Sequence, residues 1–219
     1  MFEDVRQEID RKVEAVARMP AGQDPALAPW ANQVAALVRG LQAFEGHLIA
    51  RVLPAALHDA PHLHVVAQPR VVLPQRALEA VEQGVDDVAL EYTDDDGPVR
   101  RLDLVVFHCR TGVIEFVECK RGTAGIGRDH QRARLRDDAA LELIGRDYAR
   151  TQFRQLATAA RAVTLSYYGA TGLPEHRTLR AAELNNHYEW NVREVVETHL
   201  RYFRARLDAE IPGLTGVAA

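Results

Sequence analysis

The stretch VRRLDLVVFHCRTGVIEFVECKRG, Val99 to Gly122, most constrains what this chain can form. Two apolar runs rich in β-branched and aromatic residues flank a Thr-Gly pair, the pattern of antiparallel strands joined by a tight turn with glycine at a positive φ. Taking Thr111-Gly112 as a two-residue loop sets Asp103 opposite Lys120, Val105 opposite Glu118 and Phe107 opposite Phe116. Side chains alternate between the faces of a strand, so Asp103, Glu118 and Lys120 then share one face, and His108 stands opposite Glu115 on the other. A slip of one residue would send Asp103 to the face away from Glu118 and Lys120. The charged trio is thus either a cross-strand salt bridge at a sheet edge or a site, and register decides whether it exists at all.

The use of lysine sharpens that choice. Of 27 basic residues only Lys12 and Lys120 are lysines, and a lysine can lose its proton where an arginine cannot. Both follow an acid by two positions, but Lys12 in Asp10-Arg11-Lys12 falls in an amphipathic helical stretch and reads as a solvated charge. Lys120 ends a strand beside two carboxylates. Asp103, Glu118 and the backbone carbonyl of Cys119 between Glu118 and Lys120 suit Mg²⁺, a hard cation that keeps waters and phosphates in its shell. Such an ion lowers the pKa of a bound water and neutralises a phosphodiester, and Lys120 would orient that water or stabilise the charged phosphorus.

The rest of the chain supplies a context for the hairpin. Val5, Ile9, Val13 and Val16 predict a helix over Phe2 to Met19, ended by Pro20. After the linker PAGQDPALAP, a helix from about Pro29 to Leu57 carries Trp30, Val34, Leu37, Val38, Leu41, Phe44, Leu48, Ile49 and Val52 on one stripe, with the acid Glu45 among them. A β-rich run from His62 to Leu73, a short helix near Pro74 to Glu82 and a strand from Asp87 to Tyr92 precede the acidic turn TDDDGP. Beyond the hairpin we expect a polar loop from Thr123 to Arg136, a helix from Asp137 to Ala162, a strand from Ala162 to Gly169, a loop around Pro174 and a helix from Glu189 to Ile211. The expected fold is a mixed α/β sandwich in one domain. His62 and His64 read as strand-face histidines, and the stripe of Trp190, Val195, His199, Phe203 and Leu207 as core or dimer contact.

Asp103 followed by Glu118-Cys119-Lys120 at the end of the next strand resembles the PD-(D/E)xK nuclease superfamily. That family sets its Asp at the start of the second core strand, E-x-K on the third, and often a Glu on the preceding helix; Leu102 stands where the name-giving Pro would be. The resemblance implies a restriction-endonuclease-like core, a central mixed sheet flanked by helices, over residues 41–169, with extra N-terminal (1–40) and C-terminal (170–219) helices. It implies that Asp103 and Glu118 bind Mg²⁺ (or Mn²⁺), that Lys120 assists the attacking water and that Glu45 completes the acidic cluster. Gln152 or Gln155 would match the polar position on the helix after E-x-K. The implied activity is a Mg²⁺-dependent DNA nuclease, an endonuclease leaving a 5′-phosphate. The alternatives are an inactive nuclease-like DNA-binding or assembly module, or an RNA-directed nuclease.

Composition bounds the partners. A net charge of −4 excludes a generic nucleic-acid coat, so DNA contact must be local. Arg121, Arg128, Arg132, Arg134 and Arg136, following the triplet, are the candidate phosphate contacts. No apolar run approaches the roughly 20 residues of a membrane span, and the acidic start MFEDVRQEID lacks the apolar core of a signal peptide. We expect a cytoplasmic protein with no membrane contact, and a homodimer or a protein partner as further associations. Cys109 and Cys119, both expected in strands, fit a reducing compartment without zinc-ligand spacing.

Overall fold

The structure is a computed structural model that describes residues 2–18, 26, 28–86, 88–94, 96–122, 127–169 and 171–210. In chain order its elements are α1 (Phe2–Ala17), α2 (Pro29–His58), β1 (Leu63–Ala67), β2 (Arg70–Val72), α3 (Gln75–Glu82), β3 (Val99–Arg101), β4 (Leu104–His108), β5 (Val113–Lys120), α4 (Arg128–Phe153), β6 (Ala159–Ser166), β7 (Thr178–Arg180), α5 (Leu184–Tyr188) and α6 (Arg193–Glu210). The expected stop of the first helix at Pro20, most of the linker after it, Asp87, Thr123 to Ile126, and the end of the last helix at Ile211 lie outside the described residues, as does the side chain of Trp30. The chain divides into two compact units, residues 1–56 with 191–219 and residues 57–190, against the boundaries at 40/41 and 169/170 expected from the sequence.

The first unit is helical. Val5, Ile9, Val13 and Val16 are all buried, as their spacing predicts, and α1 packs on α6. Leu37, Phe44, Leu48, Ile49 and Val52 of α2 are buried too, whereas Val34 and Val38 come out exposed. Phe44 meets Phe203 edge-on at 5.2 Å and Phe2 meets His199 at 5.0 Å, so His199, Phe203 and Leu207 of the expected stripe are core, while Val195 is half-buried and Trp190 lies before α6. Asp10 accepts from Tyr202 (3.0 Å) and pairs with Arg206 (2.7 Å), while Lys12 lies over the Phe44 ring. The second acid-x-lysine match is therefore structural. No described helix is long and apolar enough to cross a membrane.

The second unit is α/β, a five-stranded mixed sheet in the order β1-β4-β5-β6-β7 flanked by helices, with β2 and β3 forming a separate two-stranded sheet. β1, β4 and β5 are antiparallel neighbours, and β5-α4-β6 is a crossover that makes β6 parallel to β5. Val105, Phe107, Ile114 and Phe116 on one face pack against Ala140, Leu141, Ile144 and Tyr148 of α4, while Leu104, Val106 and Val117 on the other face are equally buried. A strand covered on both faces reads as a near-continuous apolar run, which is how β4 and β5 appear in the sequence.

Three expectations change here. Residues 88–92 form no strand, because their backbone bonds go to α4: Leu90 N–H donates to the Leu143 carbonyl (2.8 Å) and Tyr92 N–H to Asp147 (2.9 Å). The helix expected from Asp137 begins nine residues earlier at Arg128 and ends at Phe153, where Arg154 turns left-handed at φ 55°. The strand after it starts at Ala159, and β7 adds an edge strand where a loop was expected.

At Gly145 the α4 backbone comes so close to the sheet that a Cβ there would lie 2.4 Å from the Ala160 Cβ and 2.9 Å from the Phe116 ring. Gly145→Ala is therefore expected to destabilise the fold by about 1–3 kcal/mol despite alanine's higher helix propensity. A lower urea midpoint at unchanged slope would register it.

Candidate functional site

The central hairpin holds a register different from that of a two-residue turn. Leu104 pairs with Val117, Val105 with Phe116, Phe107 with Ile114 and His108 with Val113, closed by the four-residue loop Cys109 to Gly112. Cys109 N–H donates to the His62 carbonyl (2.9 Å), one step beyond the last β1–β4 pair, while Gly112 N–H donates to the His108 carbonyl (2.8 Å) and supplies the positive φ of 70°. The shift is two residues, which preserves the faces. Asp103, Glu118 and Lys120 do share one face, with Asp103 now across from Glu118 in place of Lys120.

Asp103 stands where the sheet ends. Its N–H donates to the Val117 carbonyl (3.2 Å), and its Oδ2 accepts the Cys119 N–H at 2.6 Å. Upstream, β3 has left to pair with β2, so no backbone carbonyl continues the ladder and the carboxylate takes its place. The Cys119 thiol is buried, and burial pushes its pKa well above the ordinary value. Among the described residues Asp103 has no partner on its other oxygen.

Glu118 is held by three cations. Its Oε1 pairs with the Lys120 ammonium, and its Oε2 takes Arg100 at 2.9 Å together with Arg134. Arg100 continues to Asp137 (3.2 Å), and Arg134 pairs through Nε with Asp138 one helical turn on (2.7 Å). Asp138 is fully buried and Arg134 only 5% exposed. Burial pushes the Asp138 carboxyl up and the Arg134 guanidinium down, each against the pull of its partner. Removing one member of such a pair strands a charge, at a cost of about 3–5 kcal/mol.

The remaining site expectations divide. Arg134 is no phosphate contact, since it lies inside helix α4 beneath Glu118. Arg128 and Arg132 are exposed on the first turns of that helix, Arg136 pairs with Glu82 and Asp137, and Arg121 lies over Tyr168 at 5.4 Å. Gln152 is at the wrong end of α4: eighteen residues separate it from Arg134, about 27 Å along a helix, and Gln155 lies beyond the helix end. Glu45 belongs to the helical unit, where its carboxylate meets Arg204 at 3.2 Å. Arg100, Asp137 and Asp138 escaped the sequence reading, although Arg134, Asp138, Leu141, Gly145 and Tyr148 recur at alternating spacings of four and three. A helix begun at Arg128 puts an ion pair on the buried stripe.

On the opposite face of β5, Glu115 is 1% exposed. Its Oε2 takes His108 Nε2 at 3.1 Å, a diagonal neighbour where a direct one was expected, and His187 Nε2 of α5 at 2.9 Å. Burial pushes the Glu115 carboxyl up, but the two histidines outweigh it and bring its pKa from 4.5 down to about 2. Asp103→Asn, which keeps an acceptor for Cys119 N–H, is expected to leave stability nearly unchanged, whereas Asp103→Ala costs about 1–3 kcal/mol by orphaning a buried donor; chemical denaturation of the two variants separates them. The stability that Glu115 contributes, about 3 kcal/mol, is complete above its ordinary pKa of 4.5 and lost as pH falls toward 2. Denaturation midpoints across that range should fall less steeply in Glu115→Gln than in the native chain. Comparisons of the chain with family models, with curated proteins and with solved structures return no match.

Proposed function

We propose that the chain is a Mg²⁺-dependent nuclease of the PD-(D/E)xK type, cleaving DNA phosphodiesters at Asp103, Glu118 and Lys120. The observation that carries this reading is their convergence on one sheet face at the end of β5. The order of elements supports it as well: a helix, three antiparallel strands with the Asp before the second and E-x-K closing the third, then a crossover helix and a parallel strand.

The donors fit a hard cation. Asp103 has an oxygen with no protein partner, and the Glu118 Oε1 faces only a lysine whose side chain is 46% exposed. Mg²⁺, when bound, would supply charge neutralisation at the phosphodiester and a water of lowered pKa. Arg134 and Arg100 hold the other oxygen of Glu118 from beneath, which fixes the carboxylate's direction before any substrate arrives. Lys120, released from Glu118, keeps its backbone fixed by the Tyr167 N–H bond to its carbonyl (3.0 Å) while its ammonium is free to hold the attacking water or the developing charge. Arg121, Arg128 and Arg132 supply local positive charge for the phosphate backbone on an otherwise acidic chain.

One observation favours a second reading. Three cations already neutralise Glu118, which suits an inactive nuclease-like module that binds DNA without cutting it. Digestion of single- and double-stranded DNA, and of RNA in parallel, with Mg²⁺ or Mn²⁺ decides between them. The nuclease reading expects cleavage that drops by roughly 10²–10⁴-fold in Lys120→Ala and in Glu118→Gln, with both variants folded. No cleavage of any polymer, or cleavage that survives Lys120→Ala, overturns it; binding without cleavage supports the module, and cleavage of RNA alone the RNA-directed enzyme.

A further inference from the structure

The His108, Glu115 and His187 cluster is independent of the site above. It sits on the other face of the sheet and shares no residue with it. Both imidazoles aim Nε2 at the same oxygen of one buried carboxylate, and the three ligand-type atoms all lie within 4.8 Å of one another. Two histidines and one carboxylate are the donors that Zn²⁺, Co²⁺, Ni²⁺ and Fe²⁺ take, and imidazole is a poor choice for Mg²⁺. Tetrahedral coordination at zinc distances separates ligand atoms by about 3.3 Å, so the two histidine–carboxylate separations of 2.9 and 3.1 Å need open by a few tenths of an ångström, and the two Nε2 atoms, within 4.8 Å of one another, need close by no more than about 1.5 Å.

The surroundings pre-organise the three groups. Glu115 is fixed in the central strand and His108 at the end of its antiparallel neighbour. His187 is carried by α5, which is anchored where His62 Nε2 meets the Tyr188 carbonyl at 2.8 Å and where Arg110 pairs with Glu189. The Tyr188 ring stacks on His108 at 5.8 Å and stands edge-on to His187 at 4.7 Å. Its hydroxyl is fully buried, has no hydrogen-bond partner among the described residues and feels the charge of Glu115. The two histidine side chains are 14% and 24% exposed, which leaves a path to the carboxylate from their side.

We infer that His108, Glu115 and His187 form a transition-metal site of the two-histidine, one-carboxylate kind, with at least one open coordination position. With the ion on Nε2, each imidazole would be neutral and carry its proton at Nδ1, and the ion would tie α5 to the central hairpin.

The test uses the full chain stripped with chelator and titrated with Co²⁺ and with Zn²⁺, followed by calorimetry and, for Co²⁺, by the visible d–d absorption of the ion. One equivalent is expected, insensitive to excess Mg²⁺, with a raised melting temperature. His187→Ala should weaken uptake by at least about 100-fold. His187→Gln, which can still donate to Glu115 and so protects the fold, should do the same, while His64→Ala, a histidine outside the cluster, should change nothing. Absence of uptake, or uptake undiminished in both His187 variants, would mean a hydrogen-bonded triad only and overturns the inference. Asp103→Asn and Lys120→Ala should retain the Co²⁺ spectrum, so the result stands or falls separately from the nuclease reading.

Discussion

The bond from Cys119 N–H to the Asp103 carboxylate sets the end of the central sheet, and much of the second unit depends on it. β4 can begin at Leu104 only because a side chain supplies the acceptor that the departing backbone does not. That departure sends Val99–Arg101 to pair with β2 and so delivers Arg100 to Glu118. A buried donor has to be satisfied somewhere, and here the solution brings an acid to the mouth of the site. Structure and candidate chemistry meet in the same carboxylate, which is why the amide substitution separates them.

Charge around Glu118 is arranged in depth. The buried Arg134–Asp138 pair forms the floor, the half-buried Arg100–Asp137 pair the wall, and Lys120 the exposed rim. Buried pairs of this kind contribute little net stability, because desolvation offsets their attraction, but they hold a direction once formed. The gradient from fixed to movable cations fits a site whose outermost partner gives way to an incoming ligand.

Face assignments along the hairpin were legible in the sequence because alternation depends only on odd and even positions; the pairing was not, because a loop two residues longer leaves the alternating pattern unchanged. The buried stripes of α1 and α2 were legible for the same reason of period, up to Val34 and Val38. The Arg-rich run after Lys120 misled, since charge suggested a loop where a helix buries Arg134 against an acid sixteen residues back and another four residues on. Pairing of that kind is set by tertiary contact and leaves only the faint signal of a polar residue on an apolar stripe. Likewise residues 88–92 carry strand-like composition, yet their donors are claimed by α4. His187 could not be placed beside Glu115 from seventy-two positions away.

Strand β5 carries Glu115 on one face and Glu118 on the other, three residues apart. Parity therefore ties two unrelated groups of side chains to a single number, the length of the Cys109 to Gly112 loop. Lengthening that loop by one residue and letting the ladder slide would turn both faces over at once, presenting Glu115 to the phenyl rings of the core and Glu118 to the histidines. An even change leaves each acid on its own side. Evolution and engineering alike can then vary this loop in steps of two, whereas an odd step that slides the ladder disturbs both groups at once.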